Sequence, residues 1–291
     1  MPTNLIPAFR LLNIDQRHTP AILRLLTAHE LTHAWQHQVV DFQKFDRIAN
    51  LDEKLAYAAA IEGHAVFVQQ QIAEELGLQI PQAELLRFLS AESVVFREPL
   101  LEIIKNINNV QDEKRYLEGQ KFIQYHHEQG GNDRVWDILA RPPVKTAMIF
   151  HPETYSPTQA QETDYTALFE DINKTYSGSD WNSENTEIGE MTLRSLLMAL
   201  DKNDCEEMVS NVSRVQNFSL RKNENEHKKL FAMVVILKDN LFINKGVKLL
   251  GQRVQKMFEA LQGSAIVSLQ DFLMEDVPGI QADSAVKVSF K

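Results

Sequence analysis

AHELTHAWQHQ, residues 28–38, decides how the rest of the chain is read. Thr19 followed by Pro20 reads as an N-cap and a first-turn proline. Ile22, Leu23, Leu25, Leu26, Leu31, Ala34 and Trp35 then recur at helical spacing, which predicts a helix to about Asp41. On it His29 and His33 lie one turn above each other, so both imidazoles can offer a nitrogen to one metal ion while Glu30 leans beside them. Zinc suits that pair. A catalytic zinc takes three protein ligands and an open position, and it brings the pKa of its water to about 7. Glu30 is the expected general base. Leu23, Leu26, Ala34 and Trp35 are expected in the core, with Trp35 wedged between helices.

The third ligand is expected on a second helix, which starts at Asn50 with Glu53 in capping-box spacing. It runs through LAYAAAIEGHAVFVQQQIAEEL, residues 55–76, and stops at Gly77. Glu62 is the expected ligand and His64 its rival. A carboxylate balances the ion's charge, and two histidines with a distal glutamate resemble the gluzincin arrangement. Glycine inside a helix costs about 1 kcal/mol relative to alanine, so Gly63 makes sense where two backbones approach closely around a metal. Taken singly, His37, His64, His126, His127 and His227 read as satisfied structural residues.

Further helices are expected at about 81–107 and 112–128, the latter ended by Gly130 and Gly131. RPPVKTAMIFHPETYSPTQAQETD, residues 141–164, holds four prolines and reads as an extended segment or surface loop. KTYSGSDWNSENTE, residues 174–187, is a polar break. A helix at about 188–200 precedes two strands, RVQNFSL (214–220) and KKLFAMVVILK (228–238), joined by a turn at KNENEH (222–227). A helix at 243–261 and a strand AVKVSF (285–290) complete the tail. The expected class is mainly α (α+β): a zincin-like helical metal-binding core over 1–155, a linker over 156–187, and a helix plus small β-sheet over 188–291.

Composition narrows the function classes. In 291 residues, 30 basic against 40 acidic side chains give a net charge of −10, and 44% of residues are hydrophobic. That is globular composition, and its sign argues against nucleic acid or an anionic membrane as main partner. The single cysteine, Cys205, excludes an internal disulfide framework and a cysteine-rich zinc site. No run of 18 apolar residues occurs, so no integral membrane segment is expected, and MPTNLIPAFRLLNIDQ carries no export signal. The chain as written is expected to be soluble and cytoplasmic, or exported if its N-terminus is incomplete. Only one short strand, within NLIPAFRLLNI, is expected before the metal helix, where zinc peptidases usually present an edge strand to substrate.

Four ordered stretches resemble a bacterial group of predicted HExxH zinc metallopeptidases of gluzincin-like type. They are AHELTHAWQHQ, AIEGHAVFV (60–68), RYLEGQKFIQYHHEQGGNDRVWDILARPPVKTAMIFHPETY (115–155) and GEMTLRSLL (189–197). In that group HELTHALQDQ, EGxA, YxxGxxFV, PPxSTEQILHPEKY and GExxLRxLL follow in the same order, and the likeness covers about residues 20–200. It implies a gluzincin-like fold, a peptide or protein substrate, zinc ligands His29, His33 and Glu62, and Glu30 as general base. It also places His151 and Tyr155 as donors to the oxyanion of a tetrahedral intermediate. The competing reading of HPETY is that His-Pro-Glu caps a turn while Tyr155 anchors the loop by packing. HAWQHQ departs from HALQDQ: His37 stands where an acidic partner of a ligand histidine is expected. Lys145 and the run from Ala147 to Phe150 replace the polar STEQIL segment. The alternative function is a catalytically silent zinc-binding interaction scaffold.

Overall fold

A computed structural model describes residues 15–78, 102–157, 170, 181–197, 202–222, 229–237, 267–269 and 284–290, with side chains for 15, 17–78, 111, 113–157, 170, 186–197, 202–212 and 215. The expected strand near residues 4–14, most of the helix at 81–107, the turn near 223–227 and the helix at 243–261 lie outside the described residues. The described part is mostly helical. Two compact units divide the chain, one of residues 1–49 and 53–158, the other of 50–52 and 159–291.

The first unit is built on three long helices. Helix α1 (Thr19–Val39) follows a 3-10 turn over Gln16–His18, so His18 rather than Thr19 takes the N-cap position and Pro20 lies in the first turn. A short α2 (Phe42–Arg47) is capped by the Asp41 side chain, which accepts from Gln43 N at 3.1 Å. Helix α3 (Leu51–Glu75) closes where Gly77 adopts φ +61°, the left-handed conformation glycine takes without penalty. Helix α4 (Glu102–Ala140) changes direction at Gly130 and Gly131, the latter at φ 65° and ψ −158°. The expected stop at these glycines is therefore a joint, and helix resumes to Ala140.

The proline-rich segment that follows is more regular than its composition predicts. Pro142 and Pro143 end α4, yet the eight residues before Pro152 leave room for one turn, α5 (Thr146–Phe150), which buries Thr146 and Ile149. A 3-10 turn over Pro152–Thr154 comes next.

Burial reverses part of the α1 expectation. Ile22, Leu25 and Leu26 are buried, but the same face continues into His29, Thr32 and Gln36. Trp35 is 53% exposed and meets Trp136 edge to face at 4.9 Å, and Ala34, also expected in the core, is exposed, as is Leu31. An inward row of polar residues displaces the apolar ones to the outer face.

Helices α3 and α4 meet at two glycines. A Cβ on Gly63 would fall on the carbonyl group of Gly119, and one on Gly119 would fall on the carbonyl oxygen of Ala59. Gly63 therefore serves an approach to α4, whereas the neighbouring Glu62 faces α1. Phe122 and Ile123 continue the α4 face into the core, and His126 lies edge to face with Phe122 at 4.7 Å.

In the second unit a five-stranded antiparallel sheet has the order β1-β2-β3-β5-β4, with β1 Trp181–Glu187, β2 Val212–Lys222, β3 Lys229–Leu237, β4 Val267–Leu269 and β5 Ser284–Phe290. The three strands read from sequence form. β1 lies in the stretch expected as a polar break: at the sheet edge, pairing with β2 offsets its weak intrinsic preference. Helix α6 (Glu190–Leu197) follows β1, and α7 (Lys202–Asn211), which the sequence pattern did not reveal, leads into β2. Arg194 joins α6 to α7 through Glu206 and pairs with Glu190 within α6, each at 2.7 Å.

Two outcomes follow from this packing. Gly119→Ala is expected to destabilise the protein by about 3 kcal/mol, the upper range for overpacking, because the obstacle is backbone that cannot rotate away; denaturant unfolding midpoints measure it. Burial, then the charge of Arg134, pushes the His126 imidazole down to about 4. Above pH 6.5 the ring is neutral in both folded and unfolded chains, but between about 6.5 and 4 only the unfolded chain takes up the proton. The melting temperature should therefore fall on acidification from pH 7 to 5, and fall less steeply in His126→Gln.

Candidate metal centre

Helical spacing stacks His29 and His33 on the inward face of α1, and the α3 crossing sets Glu62 opposite them. His29 Nε2 and His33 Nε2 lie 3.0 Å apart, and Glu62 Oε2 is 3.2 Å from each. Among the described residues, this is the one group of three or more histidine, cysteine or acidic side chains whose ligand atoms converge closely enough to hold a metal. Tetrahedral zinc with bonds of about 2.0 to 2.1 Å spaces its ligands about 3.3 to 3.4 Å apart. The observed triangle needs only a slight opening to receive it, so the residues fit the ion.

The electrostatics of the group follow from its burial. Desolvation raises the Glu62 carboxyl, but hydrogen bonds from His29 and His33 outweigh it and hold the group well below the usual carboxylate range. Burial likewise lowers the His33 imidazole, yet the Glu62 hydrogen bond and charge overcome that and leave it raised. Glu30, exposed on α1, adds its charge to the same upward pull on His33.

Gln36, one turn beyond Thr32, orients the site. Its amide nitrogen donates to the Ile61 carbonyl at 3.0 Å, which only an N–H can do, so its oxygen faces His33 Nδ1 at 2.7 Å. That oxygen accepts, so Nδ1 of His33 carries the hydrogen and a neutral His33 presents the Nε2 lone pair to the cluster. The second amide hydrogen points to His64 Nδ1 at 2.9 Å. Burial, with the His33 charge, depresses His64 to about 4, so it is a neutral acceptor at pH 7. His64, the rival third ligand, is thus turned to Gln36 and packs edge to face on Trp136 at 5.2 Å.

The remaining expectations sort as follows. His37 stacks on Phe42 at 4.0 Å, and the partner of His33 is Gln36 instead. Tyr155 is buried, its hydroxyl donates to the Arg141 carbonyl at 2.6 Å, and its ring meets Phe122 and His126. It anchors the loop. His151 is exposed at the 3-10 turn, where its carbonyl accepts from Thr154 Oγ1 at 2.7 Å. His151 does not join the converging group.

Two residues of α4 near the site were not singled out by sequence reasoning. The Tyr116 ring lies 6.2 Å from that of His29, and the charge of Arg115 contributes to holding Glu62 low. Their only signal was the RYLEG stretch of the resemblance. His29 Nδ1 is buried without a hydrogen-bond partner among the described residues, so Nε2 is the ring atom with polar neighbours.

No protein-family model, curated protein or solved structure matches the chain. Among the described residues, no helix is long and apolar enough to cross a membrane.

Gln36→Ala is expected to weaken zinc binding about 10- to 100-fold, as loss of a residue orienting a ligand histidine does. Competition with a chromophoric chelator measures it, with circular dichroism as the folding control.

Proposed function

We propose that the chain is a zinc-dependent metallopeptidase of gluzincin type, with His29, His33 and Glu62 as ligands. One observation supports this most: two imidazole nitrogens and a carboxylate oxygen from two helices meet within 3.2 Å, beside an exposed glutamate on the next residue of α1. A zinc bound there would supply a Lewis acid that lowers the pKa of a bound water to about 7 and polarises a carbonyl.

The chain's own groups do the rest. Glu62 supplies the negative charge that keeps the ion in place, and Gln36 holds the His33 lone pair toward it. Glu30 takes a proton from the attacking water at its carboxylate and returns it to the leaving amine. Its exposed position suits a group that must reach water and substrate.

Glu30→Gln is expected to keep stoichiometric zinc, by elemental assay, and to lower peptide cleavage at least about 100-fold, as loss of a general base does. Wild-type protein that binds zinc and cleaves no member of a broad peptide library rejects the reading and favours the silent scaffold.

A further inference from the structure

A cavity of about 320 Å³ opens directly beside the ligand group, with His33 and Glu62 forming part of its wall. Whatever fills it therefore lies against the reacting centre. The volume is at the lower end of small-molecule pockets, about 300 to 1,000 Å³, enough for one bulky side chain. Phe42 and Phe45 of α2 and Tyr57, Ala58 and Ile61 of α3 form the rest of the lining, with His37 stacked on Phe42. The rings of Phe45 and Tyr57 lie 5.5 Å apart, and the Tyr57 hydroxyl donates to the Asp41 carbonyl at 3.4 Å.

Charge decides what such a pocket accepts. Glu62 is the only carboxylate among its lining residues, and its Oε2 already meets both imidazoles. Lys54 places its ammonium 4.7 Å over the Phe45 ring. A lysine or arginine side chain entering here would find no unengaged anion, and burying an unpaired charge is costly. Large apolar side chains meet no such penalty and bury up to about 250 Å² each.

We propose that this pocket selects one aromatic or long aliphatic side chain of a peptide substrate, from the residue flanking the bond that is cut. The proposal rests on the peptidase reading above. Ala58 sets the size of the pocket: it stands one turn before Glu62 on α3, and a large side chain there would fill the space while leaving the ligands intact.

The test uses the zinc-loaded full chain and two readouts. Titration calorimetry compares N-acetylphenylalanine hydroxamate with N-acetylglycine hydroxamate, which differ by the benzyl group alone. At least about tenfold tighter binding of the phenylalanine compound is expected, in the range that differential filling of an apolar pocket gives. Ala58→Trp should abolish that ratio and leave zinc content and the glycine compound unchanged; Phe45→Ala, which opens the pocket, should reduce the ratio as well. A peptide library supplies the second readout, with cleavage expected next to Phe, Tyr, Leu or Met. Equal affinities in wild type, or a ratio that survives both substitutions, overturn the pocket assignment. Discrimination between hydroxamates with no peptide cleaved would leave the pocket standing and reject the peptidase; cleavage without discrimination would do the reverse.

Discussion

The way α1 lies against α3 answers to one constraint: polar groups taken out of water are costly unless they are paired. The inward face of α1 carries His29, Thr32 and Gln36 at depths where an ordinary amphipathic helix carries leucine. Thr32 returns its hydroxyl to the Ala28 carbonyl at 2.8 Å, and Gln36 bridges His33, His64 and the α3 backbone. Such a network specifies one rotation of α1 against α3. Turning the helix by one residue would strand a buried amide and two imidazoles, which together would cost more than burying Trp35 would gain.

The glycine crossing adds the second dimension. Since Gly63 and Gly119 leave no room for a methyl group between α3 and α4, Glu62 and Tyr116 both come close to His29, midway along α1. Three residues of α4 carry this arrangement. Tyr116 lies near His29, Gly119 permits the crossing, and Phe122 fills the core beside His126 and Tyr155.

How much of this was legible in the sequence depended on whether the determinant is local. Spacing of four residues on one helix is local, so the pairing of His29 with His33 could be read directly, whereas the choice of Glu62 over His64 as the third member of the group rested on charge balance and the gluzincin likeness. Gln36 was not visible, because a glutamine after a metal motif resembles solvent-facing polar residues and only tertiary structure shows it buried. Trp35 and Leu31 misled for the converse reason: periodicity weighs apolar side chains, while the face of α1 is set by its polar ones. Gly63 signalled a close approach but not its partner, since Gly119 lies far along the chain. The strand Trp181–Glu187 escaped notice because its pairing is supplied by β2, not by its own composition.

The segment between the two ligand-bearing helices separates two tasks. Phe42 and Phe45 sit on a helix of only six residues that contributes no ion-binding atom, while His29, His33 and Glu62 sit on long rods secured elsewhere. Sequence drift in those six positions can therefore reshape the chamber while the cage keeps its geometry. On the function proposed above, selectivity and cation retention would be separately heritable traits.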